Sequence, residues 1–346
     1  MNVDDEITKT KPKPKTGRST TTNVSKFIQG TALAVALAFA GGASAQVKIA
    51  LDSPPDMEGS GSYVWANTFS TYLNEHGMPA EEFQRGALGG DDELFDQVSQ
   101  GLLEVSLSPL NIVGSLDPLI YGLRLPYFFA DQAEVDHTLY EGKMLERINE
   151  ATTKAGVRVL SLNTVGQATG IFNTQKPVKS VADMAGLRMR ALDESQIELY
   201  KAWGAAGTIV SWAEVPNALQ TGVAHGYLNP AFVPLLFGHT DFIKFYTDAA
   251  IAPSLRITIV SEDWYQGLSD ADRATVDAAA DAANKANRKW LETQDAVLGK
   301  LEAAGVTVER LDQAARDAFR AASAPAYESG LLSAEQIAEW EAAKGK

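Results

Sequence analysis

From Val47 onward the chain alternates short apolar strands with amphipathic helices, which commits it to an α/β architecture with helices laid on sheet faces. Residues 47–51 read as a first strand. Residues 60–75 read as a helix with Val64, Trp65, Phe69, Tyr72 and Leu73 at helical spacing, stopped by Gly77. A second short strand closes at 82–83. A Gly-rich turn over 86–92 enters a helix over 93–100, and a strand at 105–108 ends at Pro109. Helices follow over 134–139 and 144–155, and strands over 157–162 and 170–173. After these come a helix over 196–203, a strand at 208–210, a helix over 214–221, a strand around Gly226 and Tyr227, and a strand over 257–260. Ser269, with Asp272 three residues on, reads as a capping box opening a helix that continues to Gly305. Such a helix of roughly 35 residues is about 50 Å long, enough to tie two lobes together.

The length of 346 residues suits about two domains. Cysteine is absent, which excludes disulfides, thiolate catalysis, iron–sulfur clusters and Cys-ligated zinc. The four histidines, His76, His137, His225 and His239, are scattered, so no zinc site is expected. A Walker motif, a dinucleotide fingerprint and a Gly-x-Ser-x-Gly elbow are all missing. Gly86, Gly89 and Gly90 precede a helix, but Asp91 and Asp92 would repel a phosphate there and read better as cap and macrodipole partners.

The first 45 residues stand apart. Six basic and three acidic side chains precede the apolar run 31–40 and the small-residue site Ala43-Ser44-Ala45, the pattern of a secretory signal peptide cleaved before Gln46. The run is short of the roughly 20 residues a span needs. Its removal takes the net charge from −14 to −17, which argues against a nucleic-acid partner or an anionic membrane surface.

Arg190 closes the stretch Gly186-Leu187-Arg188-Met189-Arg190, a short strand entered through a Gly turn. Its guanidinium is always charged, and its rigid fork matches a carboxylate or sulfonate. On position alone, an ion pair with an Asp or Glu elsewhere fits the same residue.

Four blocks, in order, carry a resemblance. They are Gly86-Ala87-Leu88-Gly89-Gly90-Asp91-Asp92 with Gln97 to Gly101; Leu125-Pro126-Tyr127-Phe128-Phe129; Ala182 through Arg190; and Glu214-Val215-Pro216-Asn217-Ala218-Leu219-Gln220-Thr221-Gly222 with Gly226 and Asn229-Pro230. Nearly all of the chain after Gln46 resembles the substrate-binding proteins of tripartite ATP-independent periplasmic (TRAP) transporters, DctP type. The resemblance implies an α/β, two-lobed periplasmic binding protein (flytrap) fold, here with a long lobe-spanning helix. It implies lobe I over 46–167 plus 255–294 and lobe II over 168–254 plus 295–346. It also implies a monomer in the periplasm of a Gram-negative bacterium that is no enzyme and needs no cofactor or metal. Its partners would be a small organic acid and the TRAP transporter membrane subunits.

In the site that the resemblance implies, Arg190 pairs with the ligand's acid group, Asn229 hydrogen-bonds the ligand and Trp212 forms a wall. Ser108 and Asn111, just past a strand end, are further candidates, as α/β sheets bind ligands there. Phe128, Gly170 and Phe232 complete the candidate set. Gly170 stands where some members carry a second arginine, and His225 and Leu228 replace two usual carboxylates. The ligand expected is therefore a compact monocarboxylate or sulfonate with an apolar or hydroxylated body. The rival readings are a protein presenting ligand to a sensor kinase, and an exported hydrolase or lyase acting on organic acids.

Overall fold

The computed structural model describes residues 46–345; the expected leader over 1–45 lies outside them. The described residues form eleven strands: β1 (Val47–Ala50), β2 (Ala80–Phe83), β3 (Val105–Ser108), β4 (Val157–Gly166), β5 (Gly170–Asn173), β6 (Arg188–Ala191), β7 (Ala206–Ile209), β8 (Gly226–Asn229), β9 (Phe245–Asp248), β10 (Ser254–Ser261) and β11 (Thr307–Arg310). They build two mixed sheets, ordered β2-β1-β3-β10-β4 and β11-β9-β5-β8-β6-β7. In the first, β1 runs parallel to β2 and β3 while β10 is antiparallel to β3 and β4. In the second, β6 is parallel to β7 and β8, β9 is parallel to β11, and β5 is antiparallel to β8 and β9.

Each sheet is covered on both faces, giving two lobes. Successive strand residues point to opposite faces, and the cores divide accordingly. Ile171 packs with Met184, Leu187 and Trp203, whereas its neighbour Phe172 packs with Tyr227, Ile243 and Leu301. In β10, Ile259 joins one core of the first sheet and Val260 the other.

The chain passes between sheets after β4, after β9 and after the helix Asp270–Leu291. The first two crossings run side by side. The Thr169 N–H donates to the Ala252 carbonyl at 2.8 Å, and the Ile251 N–H donates to the Thr169 carbonyl at 2.9 Å. The Thr169 and Ser254 hydroxyls are also 2.8 Å apart.

The helix expected to reach Gly305 ends at Leu291. Its start is as read: the Ser269 hydroxyl accepts from the Asp272 N–H at 3.1 Å and donates to the Asp272 carboxylate at 2.7 Å. Its end is set by Thr293, whose N–H and hydroxyl both turn back onto the Trp290 carbonyl, at 2.9 and 2.7 Å. A 3-10 turn, Gln294–Ala296, then leads into a separate helix, Val297–Ala303. The break lets Val297 and Leu301 join the core of the six-stranded sheet, which a straight helix would miss.

Before that break, Ala279, Ala280 and Ala283 pack on Trp65, Phe69 and Leu73 of the helix Gly61–Glu75. Buried Asn287 ties this helix to both neighbours. Its Oδ1 accepts from the Thr164 N–H, and its Nδ2 donates to the Gly61 and Thr164 carbonyls, all at 2.8 Å. A Cβ at Gly61 would lie 2.4 Å from the Trp290 ring, so the close approach depends on glycine.

Residues 295–346 are split between the lobes. Helix Ala334–Lys344 returns to the five-stranded sheet, placing Trp340 and Ala343 in its core, with the Trp340 ring N–H on the Leu119 carbonyl at 2.9 Å.

Candidate functional site

Between the two sheets lies a cavity of about 90 Å³ lined from both sides. Arg85, Asp91, Pro109, Leu110, Arg124 and Arg256 come from the first lobe; Arg190, Gln196, Trp212, Leu228 and Asn229 come from the second. The paired crossing segments, through Thr169, Ile251, Ala252 and Ser254, form part of its wall. A recess of about 30 Å³ adjoins it, sharing Val165, Trp212, Asn229 and Arg256.

Arg190 sits in β6 between apolar neighbours, with Met189 in the core behind it. The side chain is 3% exposed. Its Nε donates to the Val210 carbonyl at 2.8 Å, and its own carbonyl accepts from the Tyr200 hydroxyl at 2.9 Å. The guanidinium carbon is 5.6 Å from the centre of the Trp212 ring, a cation–π contact. Nη2 is buried and has no hydrogen-bond partner in the protein. Burial pulls the guanidinium pKa down to about 10, with Arg256 adding a like-charge contribution, so it remains a cation at neutral pH.

The other three arginines each have an aspartate. Arg256 Nε reaches Asp52 at 2.9 Å, Arg85 stands 3.7 Å from Asp91, and Arg124 pairs with Asp193. Four cations against three anions leave one positive charge, and it belongs to Arg190. The Arg124–Asp193 pair also spans the cleft. Arg124 ends the 3-10 segment Pro118–Arg124 of the first lobe, and Asp193 caps the helix Glu194–Ala202 of the second.

Trp212 is wedged edge-on between Tyr227, at 5.7 Å, and Phe237, at 5.1 Å, with the His239 ring 5.1 Å away. Asn229 ends β8 opposite Gly170 in the β5–β8 register. The helix after Pro230, Val233–Phe237, has Phe232 and not Asn229 at its cap position. Asn229 thus has no capping duty there, and it lines both cavities.

Of the residues singled out from the sequence, the structure brings Arg190, Asn229 and Trp212 together in the main cavity and places Phe232 in the adjoining recess. The remaining four are not among the lining residues. Ser108 is buried in β3 with its hydroxyl 3.1 Å from that of Ser106; the next two residues, Pro109 and Leu110, reach the cavity instead. Asn111 opens the short helix Asn111–Gly114, one residue too late. Phe128 packs edge-on against Phe129 at 4.8 Å, with the Lys344 amine 4.3 Å from its ring centre. At Gly170 a Cβ would lie 2.4 Å from the Tyr246 hydroxyl, so Tyr246 fills the space a larger residue would need. His225 lines neither cavity, and its Nδ1 accepts from the Arg188 N–H at 3.2 Å.

The sequence reading missed Arg85, Arg124, Arg256 and Asp52. Their signal was position: each arginine directly abuts a segment already read as motif or strand, namely Gly86, Leu125 and Ile257. Among the described residues no group of three or more His, Asp or Glu side chains is arranged to hold a metal ion.

The family model for bacterial extracellular solute-binding proteins, family 7 (DctP), matches residues 57–333. The chain belongs to the DctP family. The chain is similar to the ectoine-binding periplasmic protein TeaA of Halomonas elongata, 28% identical over 284 residues, which cover 77% of this chain and 79% of TeaA. The sialic acid-binding periplasmic protein SiaP of Vibrio cholerae is 28% identical over 258 residues, 69% of this chain and 74% of SiaP. Among solved structures, that of the periplasmic ectoine-binding protein of the Halomonas elongata TeaABC TRAP transporter superposes with a TM-score of 0.79 at 25% identity, covering 87% of this chain and 98% of that one. A TRAP solute-binding protein from Polaromonas sp. JS666 bound to D-erythronate gives 0.77 at 26% identity, covering 86% and 98%. DctP proteins are binding proteins that work with TRAP membrane subunits and take small ligands. Among the described residues no helix is long and apolar enough to cross a membrane.

Proposed function

We propose that this DctP protein captures a small organic acid in the periplasm and hands it to TRAP membrane subunits without transforming it. The observation that carries the reading is the unpaired Nη2 of Arg190 in a cleft whose other three arginines are each matched by an aspartate. A buried cation lacking a partner is unfavourable by itself, and an acid group from a ligand offsets that cost with charge-assisted bonds. Relatives that take D-erythronate and sialic acid agree with an acid.

The three crossings near 166–170, 250–254 and 291–297 are natural hinge points. Ligand contacts made only when the lobes are closed shift the population toward that form. Asn229 orients the ligand as donor and acceptor, and Trp212 covers its apolar part. The test is a thermal-shift screen of small carboxylates and sulfonates on the wild-type protein and on Arg190→Ala, because a ligand raises apparent stability by mass action. An acid that stabilises the wild type and not the variant supports the reading. An acid that stabilises both equally removes Arg190 from it.

A further inference from the structure

We propose that Asp52 is a specificity-determining residue, and that the cleft takes a hydroxylated organic acid with its acid group on Arg190 and a hydroxyl on Asp52. This rests on the reading of Arg190 as the anion anchor. Asp52 follows β1 and is 4% exposed. Its Oδ2 accepts from Arg256 Nε at 2.9 Å and from the Ser62 hydroxyl at 3.2 Å, while its main-chain carbonyl accepts from Arg85 at 2.7 Å. Its Oδ1 is buried and accepts from nothing in the protein. A carboxylate oxygen kept from water without a donor is costly, so a donor from a ligand is the group the position lacks.

Asp52 lines the smaller recess, alongside Ser53, Ser60 and Ser62 and facing Phe232 and Leu236. The Ser53 and Ser60 hydroxyls are engaged with each other at 2.6 Å. Trp212 and Asn229 border both this recess and the cavity that holds Arg190, so one ligand in contact with them reaches both ends. The cleft therefore offers an unpaired donor at one end and an unpaired acceptor at the other.

Charge decides what kind of donor fits. The Asp52 carboxylate is already neutralised by Arg256, so an ammonium placed on it would face that guanidinium. Arg190 has no such match. The complement is a ligand of net charge minus one whose far end carries a neutral donor, which is a hydroxyl on a carbon skeleton laid against the phenylalanines.

The test titrates aldonates of four to six carbons, and the unsubstituted carboxylates of equal length, into the wild-type protein, Asp52→Asn and Arg190→Ala. In Asp52→Asn the Arg256 donor requires the amide oxygen, which turns the free acceptor into an N–H donor and leaves the cleft more positive. At least one aldonate should bind the wild type about tenfold or more tighter than its unsubstituted counterpart. Asp52→Asn should erase most of that preference without weakening the unsubstituted acid. Absence of any aldonate preference in the wild-type protein, or an equal loss of both acids in Asp52→Asn, overturns the proposal. Equal binding of both acids that Arg190→Ala abolishes would sink the Asp52 inference and leave the anion anchor standing. Binding that survives Arg190→Ala would sink both.

Discussion

Arg190 lies over the face of Trp212, its guanidinium carbon 5.6 Å from the ring centre, and among the described residues no carboxylate pairs with it. The protein thus holds a buried cation whose direct contacts are the Val210 carbonyl and an aromatic face, with no carboxylate in ion-pair range. Ligand binding and stability of the unliganded protein should therefore respond to this residue in opposite directions.

Arg190→Met should raise the stability of the ligand-free protein by about 1–3 kcal/mol, because replacing an uncompensated buried charge with an apolar side chain removes a desolvation cost. Val210, whose carbonyl loses that donor, is a partly exposed residue. The same change should abolish stabilisation by any acid. Chemical denaturation with and without ligand measures both effects.

The Arg124–Asp193 pair, 12% and 6% exposed, joins the two lobes. Arg124→Met leaves Asp193 buried without its cation and should cost about 3–5 kcal/mol. The double change Arg124→Met with Asp193→Asn should recover much of that loss, since Asn can still accept from the Ser195 N–H that Asp193 caps at 3.0 Å. Urea unfolding of the single and double variants checks the coupling.

His239 supports the Trp212 wall from behind. It is 3% exposed, its Nδ1 is 3.1 Å from the Tyr227 hydroxyl, and burial holds its pKa down at about 4. The unfolded chain takes up a proton near pH 6.5 while the folded protein does not until about pH 4. The resulting stability is fully present above pH 6.5 and is lost as pH falls between those values, by roughly 3 kcal/mol. Between pH 7.5 and 4.5, thermal melts should fall more steeply for the wild type than for His239→Gln.

Much of the second lobe's site was legible because its side chains belong to contiguous motifs. Arg190 follows a Gly turn in an alternating strand, and Asn229 immediately precedes a proline that ends β8. The first lobe's share was not legible. Asp52, Arg85, Arg124 and Arg256 sit in four separate segments and converge only because β2, β1, β3 and β10 lie side by side in one sheet, an order that local periodicity does not encode. Strand β9 was missed for a related reason. Its four residues are half aromatic and no Gly or Pro marks its ends, so only pairing with β5 and β11 defines it. The helix from Asp270 kept its helical composition through Ala303, and the break came from Thr293 capping back onto Trp290 where the chain changes lobe.

Gly170 illustrates how a sequence difference acquires a structural reason. Its place opposite Asn229 is occupied from the side by Tyr246, and Gly170→Ala puts a Cβ 2.4 Å from that hydroxyl and 2.5 Å from the Thr247 carbonyl. The substitution should destabilise the protein by about 1–3 kcal/mol through overpacking, read as a lowered denaturation midpoint with an unchanged slope.

The most direct test of the acid-anchoring role is a crystal structure of the protein with the acid that most raises its melting temperature. The account predicts an acid oxygen at about 2.7–2.9 Å from Nη2 of Arg190, enclosed by Trp212 and Asn229. An acid seated elsewhere, with Nη2 still lacking a partner or turned onto a protein carboxylate, would contradict it.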